Sequence, residues 1–283
     1  MIFLKQFKNK KVLITGHTGF KGAWLSLWLH ILGAKVVGIS KNIPTNPSHF
    51  KLMNLKNKLS HNILDIRNFL SLKKIILQEK PDFIFHLAAQ ALVKSSYKDP
   101  KMTWETNTIG TLNLLESLRS LKKNCIVILV TSDKSYKNIE IQRGYKENDL
   151  LGGYDPYSAS KGATEFLIQS YVKSYFNRNK RIKIAIARAG NVIGGGDWSE
   201  DRIVPDCFKS WSKNRPVIIR NPHSTRPWQH VMEALSGYLT LAYNLKKYPN
   251  KFHGEVFNFG PTNRNNYSVK ELLLFIKKKN KYA

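Results

Sequence analysis

The sequence predicts an α/β protein: a doubly wound parallel sheet covered by helices on both faces, followed by a smaller C-terminal lobe. Three observations carry this. Short β-forming apolar runs alternate with runs of helical period from the start to about residue 190. The first such unit contains three glycines at three-residue spacing, Gly16, Gly19 and Gly22, between an apolar run and an amphipathic one. After Asn191 the alternation weakens, and Gly194-Gly-Gly-Asp197, Pro205, Pro216, Pro222 and Pro227 punctuate the chain.

In order, residues 11–16 read as a buried strand, because Val12, Leu13 and Ile14 form a continuous apolar run. Trp24, Leu25, Trp28, Leu29 and Leu32 recur at helical spacing, so 20–32 is a helix with Gly33 as its C-cap. Residues 36–39 form a second strand, and Pro44 and Pro47 mark a loop. Residues 62–64 make a short third strand ending at Asp65, and 67–79 a helix. Then come an apolar strand at 82–89, a long helix at 101–121, a buried strand at 126–131, a helix at 157–177 and a strand at 182–189. Repeated βα units imply right-handed crossovers and a sheet buried on both faces. Ligands of such sheets bind beyond the carboxyl ends of the strands, where the strand order reverses. The expected division is a dinucleotide-binding domain at 1–190 and a substrate lobe at 191–283, interleaved with the first. A last helix begins near Ser268 and runs into Lys277-Lys-Lys-Asn-Lys281.

Composition bounds the function. At 283 residues and 42% apolar content the chain buries a sizeable core. Two cysteines, Cys125 and Cys207, supply neither a disulfide framework nor metal-ligand spacing, so a reducing cytoplasm and no metal are expected. Charge interrupts the N-terminal run after four residues, which leaves no signal-peptide core, and no apolar run reaches membrane-spanning length. The formal charge of +27 favours polyanions in general. The lysines are scattered rather than gathered in a basic arm, so a compositional bias is preferred over specific nucleic-acid binding.

The strand–glycine–helix unit aims free N–H groups and the positive end of a helix dipole at one point, which suits a pyrophosphate. Tyr157 and Lys161, four residues apart, share one helix face. An ammonium beside the phenol, together with a cationic nicotinamide, favours the phenolate and makes Tyr157 an acid/base for a sugar or alcohol oxygen. Ser132, Asp133 and Lys134 stand at the carboxyl end of the preceding strand. Ser132 is placed to hydrogen-bond a reacting oxygen. Asp133 serves as an acid if burial raises its pKa, and Lys134 as a base if desolvation lowers its own.

Five segments together resemble the extended short-chain dehydrogenase/reductases, and within them the CDP-glucose 4,6-dehydratases: Gly16-His-Thr-Gly-Phe-Lys-Gly22, Thr131-Ser-Asp-Lys134, Gly152-Gly-Tyr-Asp-Pro-Tyr-Ser158, Arg188-Ala-Gly-Asn-Val-Ile-Gly-Gly-Gly-Asp-Trp198 and Arg226-Pro-Trp-Gln-His230. The resemblance implies a Rossmann fold with bound NAD. Gly16, Gly19 and Gly22 would hold the pyrophosphate, with Thr18 and Phe20 of the same turn among the cofactor contacts. Asp65 and Ile66 would lie by the adenine, and Leu87, Ala88 and Ala89 along the path to the nicotinamide. Tyr157 and Lys161 would stand at its ribose. Asn191, Arg220, Arg226 and His230 would face a CDP-sugar. The implied reaction is loss of water from CDP-glucose to give CDP-4-dehydro-6-deoxyglucose for polysaccharide (O-antigen) synthesis, in a cytoplasmic homo-oligomer, a dimer or a tetramer.

Two features depart from this pattern. No acidic residue follows the second strand, where Ser40-Lys-Asn-Ile43 stands, so NAD and NADP are not separated. Relatives are expected to continue past the last helix, so the lobe is expected to be truncated. Rival readings are a nucleotide-sugar 4-epimerase or decarboxylase of the same superfamily, and a non-catalytic NAD- or RNA-binding protein.

Overall fold

The computed structural model describes residues 2–261 and 267–279. Six strands alternate with helices: β1 (Lys11–Thr15), β2 (Lys35–Ser40), β3 (Ser60–Ile63), β4 (Phe83–His86), β5 (Cys125–Val130) and β6 (Ile182–Ala189). A seventh, Val256–Phe259, joins them in the order Val256–Phe259, β6, β5, β4, β1, β2, β3. Every pairing in this sheet is parallel. The chain builds outward from β1 to β3, returns, and builds the other way from β4. The reversal therefore lies between β1 and β4, where the carboxyl ends leave a crevice.

Both faces are covered, which is why the strands read as apolar runs rather than alternating ones. Val12 and Ile14 point into one layer with Leu25, Leu29, Leu235 and Leu239. Leu13 points into the other with Leu114, Leu118, Ile168 and Phe176.

The expected α/β class and its strands are present, with local differences. The helix expected at 67–79 is Phe69–Glu79, started by Asn68, whose side chain accepts the Ser71 N–H. The helix expected at 101–121 is Pro100–Trp104, a wide π turn Glu105–Ile109, and Gly110–Arg119. The helix expected at 157–177 is Pro156–Tyr171 continued by a π turn, Val172–Phe176. Asp155 caps it by accepting the Ser158 N–H, and Pro156 fills the first helical position, where no N–H is needed.

The second half crosses back over the expected boundary. Helix Val231–Lys247 packs its Leu235, Tyr238, Leu239 and Ala242 into the first core layer. The Val256–Phe259 strand then extends the main sheet beside β6. What stands apart is the Ile203–Trp211 helix, the Thr225–Arg226 strand paired with Tyr267–Ser268, and the Val269–Lys279 helix. Of the expected terminal lysine cluster, Lys277 to Lys279 lie in that helix, while Asn280 and Lys281 lie outside the described residues.

Candidate functional site

The glycine turn connects β1 to the helix Phe20–Ile31 (α1). Gly16 adopts φ +77°, the left-handed region, and its N–H donates to the Ile39 carbonyl at 2.7 Å. A Cβ at Gly22 would lie 2.0 Å from the Gly16 carbonyl oxygen, so the fold itself demands glycine there. Gly19 differs. Its φ of −75° is open to any residue, and a Cβ would meet nothing nearer than the Gly16 oxygen at 3.4 Å. The missing side chain at Gly19 therefore leaves a space that the fold does not fill. α1 has neither a side-chain cap nor an acidic residue in its first turn, so no side chain of its own competes for an anion at its N-terminus. Thr18 looks away from that space: its Oγ1 donates to the Asn42 carbonyl at 2.7 Å, and its N–H donates to Ser40 Oγ at 3.3 Å. Phe20 packs against the first core layer.

Asp65 follows β3. Burial alone would raise its pKa, but hydrogen bonds from Arg67 outweigh this and hold the carboxyl below its ordinary range. Ile66 is buried in the second core layer. Leu87 to Ala89 follow β4 directly. The Leu87 N–H donates to the Thr15 carbonyl at 3.1 Å and the Ala88 N–H to Thr15 Oγ1 at 3.2 Å, which fastens the two strand ends at the reversal point. His86 lies between Thr15 Oγ1 (2.8 Å) and Thr111 Oγ1 (3.1 Å). Burial pushes its pKa down to about 3, so it is a neutral tie and not a titrating group.

A cavity of about 1090 Å³ lies beyond the carboxyl ends of β5 and β6. Ser132, Asp133, Lys134 and Tyr157 line it, and so do Asn191, Arg220, Arg226 and His230. Residues far apart in sequence thus meet in one chamber. Ser132 Oγ donates to Asp133 Oδ1 at 3.0 Å and accepts the Lys134 N–H at 3.2 Å. Lys134 is solvent-exposed, so the protein alone does not supply the desolvation that its expected role as a base called for.

Tyr157 is 8% exposed. The expectation that a neighbouring ammonium lowers its pKa is not met within the protein. Burial raises it, the Ser132 hydrogen bond opposes this only in part, and Asp133 adds to the rise. Lys161 is buried, and burial lowers its pKa to about 8, with Glu165 partly restoring it. Its ammonium makes no hydrogen bond or ion pair with any described residue. This buried cation and the space at Gly19 are the two observations that fit a bound dinucleotide.

Sequence reasoning missed three features. Lys21, between Phe20 and Gly22, is the one residue of the glycine turn that lines the cavity. Its Nζ donates to Tyr238 Oη at 3.4 Å, and burial, with repulsion from Arg202 and Lys161, lowers its pKa to about 8. A charged residue between two turn glycines was a usable signal. The second is Asn107 in the π turn. Its Oδ1 accepts the Gln90 N–H at 2.8 Å, and its Nδ2 donates to Ser160 Oγ at 2.9 Å, joining the loop after β4 to the Tyr157 helix. The third is the buried pair of Arg188 and Glu165, to which Thr131 Oγ1 also donates at 2.7 Å. It lies directly behind the Ser132 turn.

On the far wall, His230 is also the N-cap of the Val231–Lys247 helix, its Nδ1 accepting the Met232 N–H at 3.3 Å. Arg226 Nη1 donates to the Thr225 carbonyl at 2.7 Å. Asp201 draws in Lys94 at 3.0 Å and stands 4.0 Å from Arg220. Among the described residues no cluster of three or more His, Cys, Asp or Glu is arranged to hold a metal ion.

A family profile described as GDP-mannose 4,6 dehydratase matches residues 13–280. The chain is 48% identical over 265 residues to a CDP-glucose 4,6-dehydratase of Salmonella typhimurium, covering 92% of this chain and 74% of that protein. Among solved structures, the epimerase Mth375 of Methanothermobacter thermautotrophicus superposes with a TM-score of 0.83 at 22% identity, over 99% of this chain and 79% of that one. A UDP-glucuronic acid 4-epimerase of Bacillus cereus, solved with UDP-glucuronic acid and NAD, superposes with a TM-score of 0.79 at 25% identity, over 95% and 82%. The resemblance carried by the five segments is borne out.

Proposed function

The chain belongs to the GDP-mannose 4,6-dehydratase family, and from that premise we propose that it is an NAD-dependent hydro-lyase converting CDP-glucose to CDP-4-dehydro-6-deoxyglucose. The observation that carries this is the Ser132-Asp133-Lys134 turn lining the same cavity as Tyr157. An epimerase acting at C4 needs no acid–base pair beside the base that serves the 4-hydroxyl.

NAD, when bound, supplies the redox chemistry, accepting a hydride from C4 and returning it at C6. Gly16, Gly19 and Gly22 hold its pyrophosphate at the N-terminus of α1, with Thr18 and Phe20 shaping the turn. Asp65 and Ile66 flank the adenine, Leu87 to Ala89 line the path to the nicotinamide, and the Lys161 ammonium takes the ribose hydroxyls. Tyr157 removes the proton of the sugar's 4-hydroxyl while Ser132 Oγ orients that oxygen. The ketone formed at C4 acidifies C5. Lys134 removes the C5 proton, desolvated once the sugar covers it, and Asp133 delivers a proton to the departing 6-hydroxyl. Water leaves, the Lys134 ammonium exchanges its protons with solvent, and it delivers one to C5 as C6 is reduced. Arg220 and Arg226 pair with the diphosphate, and Asn191 and His230 orient the nucleotide sugar.

The nucleotide unit comprises 1–190 together with 231–259, and the remaining segments form the sugar lobe. A homodimer or tetramer is supported by the exposed Trp104, Ile109 and Phe166 on neighbouring long helices. The same reading places its action in the cytoplasm, on sugars destined for polysaccharides such as O-antigen; among the described residues no helix is long and apolar enough to cross a membrane.

The test is incubation with NAD and CDP-glucose, following NADH absorbance and the 4-keto product. Dehydration is expected with CDP-glucose. Interconversion at C4 without loss of water would favour the epimerase reading.

A further inference from the structure

Residues 194–202 form a strap whose two ends rest on opposite sides of the reversal point. The first end lies on the α1 side. Trp24 Nε1 donates to the Gly195 carbonyl at 2.9 Å. Gly196 adopts φ +85°, and a Cβ there would lie 2.3 Å from His49 Nδ1, so bare backbone fits against that ring. Asp197 then stiffens the strap: its Oδ1 accepts the Ser199 N–H at 3.1 Å, and its Oδ2 accepts Arg202 Nη1 at 2.9 Å. Lys209 Nζ donates to the Trp198 carbonyl at 2.9 Å, which ties the strap to the Ile203–Trp211 helix.

The second end reaches the β4 side. Asp201 adopts φ +57°, a left-handed conformation that Asp tolerates better than most residues. Its Oδ1 accepts Lys94 Nζ at 3.0 Å. Lys94 lies on the short helix Val93–Lys98, just past the Gln90 loop that Asn107 fastens to the Tyr157 helix. Lys94 and Asp201 both line the cavity that holds Tyr157, and their side chains are 55% and 31% exposed. They therefore stand where the chamber meets solvent. Among the described residues this is the one ion pair between 1–190 and 191–279. A half-exposed pair adds little to global stability, so its effect falls on the local opening of the strap. Closure matters for a reaction in which the sugar gives up a hydride at C4 and must still be present when C6 is reduced.

We propose that Lys94 and Asp201 are positioning residues: their ion pair latches the strap to the β4 wall and slows escape of the nucleotide sugar before the reaction is complete. The inference rests on the reading of the chain as a CDP-glucose dehydratase.

Two measurements on the parent, Asp201→Asn, Lys94→Met and the double variant test it. Asn keeps the left-handed turn and removes only the charge. In the chain without ligand, amides of 197–211 should exchange hydrogen about two- to fivefold faster in each single variant, the worth of one half-exposed ion pair. The double variant should exchange no faster than Asp201→Asn alone, because the two side chains act together. Added salt should bring the parent toward the variants. Release of CDP-glucose is then followed by tryptophan fluorescence in a Tyr157→Phe background with NAD+, where the sugar binds without being oxidised. Each variant should release it about two- to fivefold faster. Unchanged exchange, or effects that multiply in the double variant, would overturn the latch. Faster exchange with unchanged release would overturn its role in holding the sugar. A parent that binds no CDP-glucose overturns the functional reading and that role with it, while the exchange result still decides whether the strap is latched.

Discussion

Replacing Gly19 by valine separates a glycine kept for a ligand from one kept for the fold. At Gly19 the backbone is extended and the nearest atom to a new Cβ is 3.4 Å away, an ordinary contact. The added Cβ is tolerated, so the cost to the folded chain should be about 0.5–1 kcal/mol, that of a poorer N-cap residue for α1. At Gly22 a Cβ would sit 2.0 Å from a backbone oxygen, so Gly22→Val must move the turn. Overpacking of that kind costs about 1–3 kcal/mol or more, a fall in Tm of several degrees. For dinucleotide binding the ranking differs. On the proposed placement of the pyrophosphate, the Gly19→Val side chain would stand where a phosphate oxygen approaches the N–H groups of α1. Losing one charge-assisted hydrogen bond costs about 1.5–3 kcal/mol, or roughly 10- to 150-fold in Kd. The assay is thermal melting beside calorimetric titration with NAD+. Gly19→Val should melt closer to the parent than Gly22→Val does and bind at least tenfold more weakly. A Gly19→Val chain with parental affinity would refute the placement of the pyrophosphate.

Asp133→Asn should leave NADH formation on adding CDP-glucose largely intact and slow water loss by about two to four orders of magnitude; stopped-flow absorbance with product analysis separates the steps, and parental turnover would end the acid assignment. Lys134→Met should reduce solvent deuterium uptake at C5, whereas Tyr157→Phe should abolish NADH formation itself. The Lys161 pKa is about 8 in the folded chain against 10.5 for a free lysine, so above pH 8 the unfolded chain holds more protons and this group makes stability rise with pH until about 10.5. Lys161→Met should remove a slope of up to about 1.4 kcal/mol per pH unit, seen in denaturant midpoints across that window. Glu165→Gln leaves the buried Arg188 guanidinium without its counter-charge and should cost about 3–5 kcal/mol, read as a lowered denaturation midpoint.

How much of the fold was legible depended on how local its cause is. β1 and α1 were readable because strand, turn and helix each announce themselves within a few residues, and the Asn68 and Asp155 caps are local too. The Val256–Phe259 strand was not. Its four residues are only partly buried, and what makes them a strand is β6, some seventy residues earlier in the chain. The Val231–Lys247 helix is amphipathic enough to be expected somewhere, but nothing in its own sequence says that Tyr238 and Leu239 fill the core layer of α1. The π turn at Glu105–Ile109 is a one-residue slip in a helical pattern, and residue period does not resolve it.

The candidate site divides along the same line, and Tyr157 shows where sequence reasoning stopped. Spacing alone put Tyr157 and Lys161 on one helix face, which is correct geometry. Whether the pair lowers the phenol's pKa is a question about solvent, and four-residue spacing carries no information about burial. The fold buries both groups, so the phenolate loses more hydration than Ser132 returns, while the ammonium is itself pushed toward neutrality. With a pKa of about 8 the lysine is still mostly protonated near neutral pH, yet its charge does not offset the burial of the phenol. The positive charge that favours the phenolate comes from another element, Arg202, which is not on the Tyr157 helix. Ionisation of Tyr157 is therefore set by what the tertiary fold gathers around it and by what enters the cleft, not by its four-residue spacing from Lys161.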